Sequence, residues 1–173
     1  GYEVSCEGYN NGFIETYATS PFPPVTYNWS TSNINNLNQY NLANGIYTLQ
    51  LTDDYGCVVD TSFTLTAPTP LQTSLIVTDY NGYNISCNGY SDGGIDLNVA
   101  GSVPGYNYLW NTSAVTEDIT NLSLATYSVD ITDLNSCTTS TSFTLTEPTP
   151  LQTSPIVTDY NGYNISCNGY SDG

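Results

Sequence analysis

The sequence predicts an all-β protein built of tandem β-sandwich units of about 80 residues each. Three observations support this prediction: a segment that occurs twice, apolar residues that alternate with polar ones, and no helical periodicity. Residues 71–93 recur as residues 151–173 with a single difference, Leu75 against Pro155. This phase divides the chain into a first unit (residues 1–70), a second unit (71–150) and the opening of a third (151–173).

Alternation with a period of two marks the strands. In the second unit Ile95, Leu97 and Val99 are predicted to face inward, with Asp96 and Asn98 between them facing outward. Further strands are predicted in both units. The first unit opens with a short strand that starts at Val4 and runs into a Gly/Asn turn by Gly12. The other predictions are strands ending at Trp29 and Trp110, edge strands with loops within residues 30–40 and 111–121, strands beginning near Tyr47 and Tyr127, and last strands through Phe63 and Phe143. Between units, Pro-Thr-Pro at residues 68–70 and 148–150 predicts a stiff hinge, because proline restricts φ.

Four aromatic residues are candidate core anchors, two in each unit: Trp29, Tyr47, Trp110 and Tyr127. A single Trp at the end of a central strand is typical of the core of a sandwich. The alternative for the Trp residues is an exposed platform on which a sugar ring stacks.

The charge balance excludes several kinds of partner. The chain has 16 acidic residues and no Lys, Arg or His. Nucleic acid and anionic membrane surfaces both require basic side chains, so neither is expected as a partner. Since 39% of the residues are hydrophobic, an ordered protein is favoured over a disordered one. No apolar run approaches the roughly 18 residues of a membrane span.

The order of sequence motifs along the first unit resembles that of a known protein family. The order is Val-Ser-Cys-x-Gly-Tyr from Val4, Tyr-x-Trp at Trp29, Gly-x-Tyr-x-Leu-x-Leu-Thr-Asp from Gly45, a turn with Cys57, and Phe-Thr-Leu-Thr-x-Pro from Phe63. This order resembles the SprB-type repeat of very large surface adhesins of Bacteroidota, including gliding-motility adhesins. It is similar, more loosely, to polycystic-kidney-disease-type and immunoglobulin-like sandwiches. The resemblance implies an immunoglobulin-like fold, export to the bacterial cell surface, and a stalk or adhesive role.

The five cysteines follow the repeat and predict one disulfide within each unit, Cys6–Cys57 and Cys87–Cys137, with Cys167 left for a partner beyond Gly173. Each bond would close a loop of about 50 residues and stabilise the unit by roughly 3–4 kcal/mol. Free buried thiols are the alternative, and a zinc site is disfavoured because two cysteines without a histidine are too few ligands. Disulfides favour an extracellular location.

Two further kinds of site are considered. Carboxylates in or near turns are weak candidates for Ca²⁺, although turns also favour Asp for local hydrogen bonds; these are Asp53, Asp54, Asp92, Asp96, Asp130 and Asp133. Glycosylation is possible for a surface fibre, and the N-x-S/T pattern occurs at Asn28, Asn84, Asn111, Asn121 and Asn164. No other cofactor is expected.

The function predicted from the sequence is a structural and adhesive segment of a long extracellular fibre, and not an enzyme. Its partners would be neighbouring repeats, other copies in a filament, and surface glycans or substrata. One alternative is an array of carbohydrate-binding modules, in which exposed Tyr9, Tyr90 and Tyr170 stack on sugars. The other is a subunit of a self-assembling filament in which the edge strands of neighbouring chains pair.

Overall fold

The computed structural model describes residues 1–30 and 36–172, and in these ranges it contains strands and no helix. The strands are β1 (Gly12–Ile14), β2 (Thr26–Trp29), β3 (Gln39–Leu42), β4 (Gly45–Thr52), β5 (Val58–Leu65), β6 (Gln72–Val77), β7 (Gly93–Ala100), β8 (Asn107–Trp110), β9 (Ile119–Leu122), β10 (Thr126–Thr132) and β11 (Thr138–Thr144). The predicted all-β class is confirmed.

The strands form small antiparallel sheets that agree with a β-sandwich. In the second unit one sheet has the order β6-β7-β9 and the other β8-β10-β11. In the first unit the corresponding sheets are β1-β3 and β2-β4-β5. The pairing registers repeat between the units. Phe13 on β1 lies opposite Tyr40 on β3, and their counterparts in the second unit, Gly94 on β7 and Thr120 on β9, also lie opposite each other.

Each unit has its own hydrophobic core, and both of its sheets contribute to it. The four predicted anchors lie in these cores with at most 7% of their surface exposed. Each indole nitrogen donates to a backbone carbonyl at 2.9 Å, from Trp29 to Asn36 and from Trp110 to Thr116. Because the rings are enclosed and their polar atoms are satisfied, neither Trp offers a face to a ligand.

A buried tyrosine fastens the start of a central strand in each unit. The Tyr47 hydroxyl donates to the Ala43 carbonyl at 2.9 Å, and the Tyr127 hydroxyl donates to the Ser123 carbonyl at 3.0 Å. A tyrosine that bonds back to the backbone a few residues upstream is the tyrosine corner of immunoglobulin-like sandwiches. The tyrosine hydrogen bond in each unit therefore agrees with the immunoglobulin-like fold that the family resemblance implies.

The short opening strand predicted from Val4 does not form, and the first strand of the chain begins at Gly12. Instead the N–H groups of Glu3 and Val4 both donate to the single carbonyl of Thr66, at 3.1 Å each. The Val4 side chain is fully buried, so the segment is held by its core residue and by the end of the last strand rather than by a ladder. The edge strands predicted within residues 30–40 and 111–121 correspond to β3 and β9. Residues 31–35, which belong to the first of these ranges, lie outside the described residues.

Candidate functional site: the junction between the units

The only disulfide within the described residues joins the two units. Cys6 of the first unit is bonded to Cys137 of the second, with a Cα–Cα distance of 5.6 Å and a sequence separation of 131 residues. Neither predicted pair, Cys6–Cys57 or Cys87–Cys137, is therefore formed. The thiols of Cys57, Cys87 and Cys167 are free and exposed.

The strand geometry explains why the pairing within a unit was wrong. Cys6 lies in the opening segment, which is bound to Thr66 just after β5 ends. Cys57 lies immediately before β5 begins, and the eight residues of that strand span about 25 Å. A disulfide requires Cα atoms within about 7 Å of each other, so the two cysteines of one unit are too far apart to bond.

The turn that carries Cys137 is organised by one buried carboxylate. Asp133 is 3% exposed, and its Oδ1 accepts hydrogen bonds from the N–H groups of Cys137 at 2.7 Å and Asn135 at 2.9 Å. Its Oδ2 accepts from the Val103 N–H at 3.1 Å and from the Ser102 hydroxyl. These four donors fix the turn, so the Cys137 sulfur is presented to the first unit in one position.

Two hydrogen bonds between the units close the junction around the disulfide. The Asn135 side-chain amide donates to the Ser5 carbonyl at 3.2 Å, and the Ser102 N–H donates to the Thr69 carbonyl at 2.8 Å. Pro68 of the linker is fully buried. The first Pro-Thr-Pro segment is thus packed against the second unit, and the hinge predicted from it is held in one conformation by these contacts.

Gly101 lets the linker approach this closely. Its φ is +87°, a conformation that L-residues with side chains rarely adopt, and an added Cβ would lie 2.2 Å from the Pro70 carbonyl oxygen. We expect Gly101→Ala to lower the free energy of unfolding by about 2–4 kcal/mol, since the backbone strain and the clash add. Urea denaturation, followed through Trp110 fluorescence, measures this loss.

Gly56→Ala is the matched control for this substitution. Gly56 has a similar φ of +80° but has nothing within 4 Å of an added Cβ. It should therefore show only the cost of the left-handed backbone, about 1–2 kcal/mol. Equal losses for the two variants would contradict a role for Gly101 in the junction.

Local hydrogen bonds occupy several of the carboxylates considered for Ca²⁺. Hydrogen bonds from the backbone of Cys57 and Tyr55 and from Ser20 lower the pKa of Asp53, and Ser86 lowers the pKa of Asp92. For Asp133, burial acts to raise the pKa, but the hydrogen bonds from Ser102 and the turn outweigh it, so the pKa is lowered.

The remaining candidates do not join these carboxylates in a shared site. Asp96 accepts from the Asn98 side chain at 3.0 Å, whereas Asp54 and Asp130 are exposed. Among the described residues, no three His, Cys, Asp or Glu side chains lie close enough together to hold a metal ion.

The uncompensated charge predicts an unusual response to salt. With 16 carboxylates and no basic side chain, side-chain charges can only repel one another. We expect the Tm to rise by about 5 °C between 10 mM and 0.5 M NaCl, because the Debye length shrinks from about 30 Å to a few ångströms. Differential scanning calorimetry measures the rise, and a lower Tm in NaCl would contradict this reading. At matched ionic strength, an additional rise in CaCl₂ would indicate specific Ca²⁺ binding.

Exposed aromatic rings form a small patch on the first unit. Phe13 on β1 and Tyr40 on β3 are 58% and 56% exposed, and their rings stack with centroids 6.5 Å apart and planes 25° apart. The Tyr40 hydroxyl donates to the Glu15 carboxylate at 3.3 Å. We call Phe13, Glu15 and Tyr40 the aromatic patch. The second unit has Gly94 and Thr120 at the two ring positions.

The tyrosines proposed from the sequence as sugar platforms are exposed but separate. Tyr9, Tyr90 and Tyr170 are 49%, 57% and 65% exposed. Each lies in a turn in which its N–H donates to the carbonyl of the cysteine three residues before it. The ring pairs found among the described residues do not include any of the three.

Comparison with known families agrees with the resemblance deduced from the residues. Residues 83–115 match the family model of the SprB repeat, which confirms the predicted resemblance over this stretch. A SprB repeat suggests a surface adhesin or a gliding-motility-related protein. Such repeats occur in extracellular surface proteins, which suggests a surface location. No curated protein matches the chain. In residues 1–30 and 36–172, no helix has the length and apolar character needed to cross a membrane.

Proposed function

We propose that this chain is a structural and adhesive segment of a long fibre or adhesin stalk on a bacterial surface. The observation that carries the proposal is the covalent junction, in which the Cys6–Cys137 disulfide and the buried linker join consecutive β-sandwich units. Joining units in this way gives length and stiffness, and repetition multiplies weak contacts with a surface. The match of residues 83–115 to the SprB repeat supports the same function. The proposal assigns the chain no catalytic activity.

Imaging and blocking of the producing cells would test this function. Fab fragments raised against residues 1–173 should label thin threads on the cell surface in electron microscopy, and they should reduce attachment to a solid substratum several-fold. Fab fragments raised against an unrelated surface protein are the control. Label confined to small soluble particles, together with unchanged attachment, would overturn the proposal.

The aromatic patch favours carbohydrate binding as a second candidate function. Two stacked, half-exposed rings beside a carboxylate offer an apolar face and a hydrogen-bond acceptor, which together suit the face and hydroxyl groups of a sugar ring. Because only the first unit has these rings, the second unit provides the residues for a matched test.

The double variant Phe13→Gly with Tyr40→Thr gives the first unit the residues that the second unit has at these positions. On a glycan array we expect the parent chain to retain at least one class of glycan and the double variant to lose that signal at least tenfold. The disulfide and the far-ultraviolet circular dichroism of the variant should be unchanged. Silence of the parent chain on every glycan would exclude this function.

A further inference from the structure

The last strand of each unit lies at an open edge of its sheet. β5 ends the sheet β2-β4-β5 and β11 ends the sheet β8-β10-β11, and among the described strands each pairs on one side only. Neighbouring units do not cover this edge. β5 is open although the second unit follows it, and β11 is open although the first unit precedes it. Because the two strands are counterparts in the repeat, the open edge belongs to the unit itself.

Every second residue of β11 directs its backbone groups outward. The Leu145 N–H donates to the Ala125 carbonyl at 3.0 Å, which marks a hydrogen-bonded pair where the β10–β11 ladder ends. Hydrogen-bonded and non-hydrogen-bonded pairs alternate along a ladder, so the odd-numbered residues of β11 direct their N–H and C=O groups toward β10. The even-numbered residues direct theirs away from β10, and no backbone hydrogen bond within residues 1–30 and 36–172 uses these groups. These residues are Thr138, Ser140, Ser142 and Thr144.

The β11 edge lacks the features with which proteins keep open edges apart. Such edges are usually interrupted by charged residues, by proline or by a β-bulge. β11 reads Thr-Thr-Ser-Thr-Ser-Phe-Thr, without a charge or a proline, and its pairing with β10 has no shift of register. The edge of the second unit is therefore able to accept a further strand.

The counterpart edge in the first unit carries a charge. Asp60 of β5 stands 80 residues before Ser140, and its carboxylate accepts from the Gln50 side chain on β4 at 3.0 Å. In the second unit the carboxylate lies on the central strand instead, as Asp130 at the position of Gln50. Asp130 is the only charged residue in β8, β10 and β11. The first unit thus places one negative charge at the edge, whereas the second unit places it one strand inward.

We propose that two copies of this chain associate side by side, with β11 of one copy paired antiparallel to β11 of the other. The contact is isologous, because each copy contributes the same edge, and it joins the two sheets that end in β11 into one continuous sheet. It uses neither the disulfide nor the linker between the units. The proposal goes beyond the adhesive role and does not depend on it.

One register of the two strands satisfies the outward groups and avoids the junction between the units. Thr138 and the linker residues 69–70 line one small cavity, so the accessible part of the edge begins at Ser140. With the two-fold axis at Ser142, this residue lies opposite its own copy and Ser140 lies opposite Thr144, which gives three hydrogen-bonded pairs with about six hydrogen bonds. On the outer face of the sheet, the side chains that meet are then all hydroxyls, a favourable cross-strand combination.

The inward position of Asp130 keeps negative charge away from this contact. The two copies of Asp130 would be at least three strand spacings apart, about 14 Å, which exceeds the Debye length of about 8 Å at physiological salt. A strand pair of this length is small compared with the roughly 1,200–2,000 Å² that stable interfaces bury, so we expect a weak dimer with a Kd of about 0.1–1 mM. Many such contacts between two fibres would together hold them firmly.

Sedimentation equilibrium in 0.5 M NaCl, which screens repulsion between the copies, tests the proposal on the chain with its free thiols replaced, as Cys57→Ser, Cys87→Ser and Cys167→Ser. We expect a large fraction of dimer at about 1 mM protein and monomer at about 0.02 mM. Ser142→Pro removes the central outward donor but no hydrogen bond to β10, so it should weaken the dimer at least tenfold. Ser62→Pro, the same change on β5, is the matched control and should leave the Kd within twofold.

An exchange of two side chains tests the role of the charge separately. Asp130→Gln combined with Ser140→Asp gives the second unit the Gln–Asp pair of the first unit, and it leaves the net charge unchanged. Because a carboxylate in the strand pair would lose part of its hydration, the exchange should also weaken the dimer at least tenfold. The far-ultraviolet circular dichroism should stay the same. If Ser142→Pro does not fold, this exchange still decides the question.

Amide signals of the ¹⁵N-labelled chain locate the contact. Between about 0.02 and 1 mM protein, the N–H signals of Ser140, Ser142 and Thr144 should shift, and those of β5 should not. Three results would overturn the proposal: a monomer at the higher concentration, a dimer that both variants leave intact, or shifts confined to another surface such as the aromatic patch.

Discussion

Breaking the Cys6–Cys137 disulfide, by reduction or as Cys6→Ser, is expected to lower the free energy of unfolding by about 4–5 kcal/mol. The reason is the size of the closed loop, since a bond between residues 131 positions apart removes much of the entropy of the unfolded chain. We also expect the two units to unfold in separate transitions once the bond is lost. Urea denaturation followed separately through Trp29 and Trp110, in Trp→Phe variants, measures both effects.

Cys57→Ser is the matched control, because this thiol occupies the equivalent of Cys137 in the first unit and is exposed and unbonded. Its stability should stay within about 0.5 kcal/mol of the parent, as is usual for surface substitutions. If Cys57→Ser were as damaging as Cys6→Ser, the disulfide pairing would be the one expected within a unit and the junction described above would be wrong.

Asp133→Asn is expected to cost about 2–3 kcal/mol although it changes the size of the side chain very little. An amide NH₂ replaces the oxygen that accepts from the Val103 N–H, so that buried donor faces another donor. Because hydrogen bonds keep the Asp133 pKa below its ordinary value, the carboxylate stabilises the fold above about pH 4. This contribution is lost as the pH falls through the lowered pKa.

The difference in the free energy of unfolding between the parent and Asp133→Asn should therefore be largest at pH 6–7 and shrink toward pH 3. Urea denaturation at several pH values measures this difference. Asp53→Asn is the matched control, since Asp53 is the equivalent in the first unit but is less enclosed and has no counterpart of the Val103 bond. Asp53→Asn should therefore lower the free energy of unfolding much less than Asp133→Asn does. A difference that grows as the pH falls would contradict this account of Asp133.

Periodicity was a sufficient guide to the fold and to the cores. The alternation that predicted Ile95 and Leu97 as inward residues matches their nearly complete burial, because a strand with one buried face must alternate. The opening segment was mistaken for a strand for a related reason. Val4 and Cys6 are buried two residues apart, as in a strand with one buried face. The segment has no ladder to join, however, and the N–H groups of Glu3 and Val4 both donate to the single carbonyl of Thr66.

The junction could not be predicted from one unit alone. Position in the repeat shows that Cys6 and Cys57 recur together, but it does not show that they lie at opposite ends of β5. Asp53 and Asp133 recur 80 residues apart, but Ser20 and Ser102 are 82 residues apart, so the repeat alone did not mark the two Ser–Asp pairs. Asn135 had no signal either, because Tyr55 stands in its place in the first unit. The Phe13–Tyr40 stack could be recognised only from the register of β1 against β3, which places the two residues opposite each other.

The position of the disulfide also determines how the chain would respond to a pulling force. Tension applied between the two ends enters at Cys6, crosses the covalent bond and leaves at Cys137, so the residues between them carry none of it. The enclosed 131-residue separation corresponds to about 450 Å of extended chain that force cannot release while the bond is intact. A fibre of such units would act as a nearly inextensible tether in oxidising surroundings and as an extensible spring after reduction.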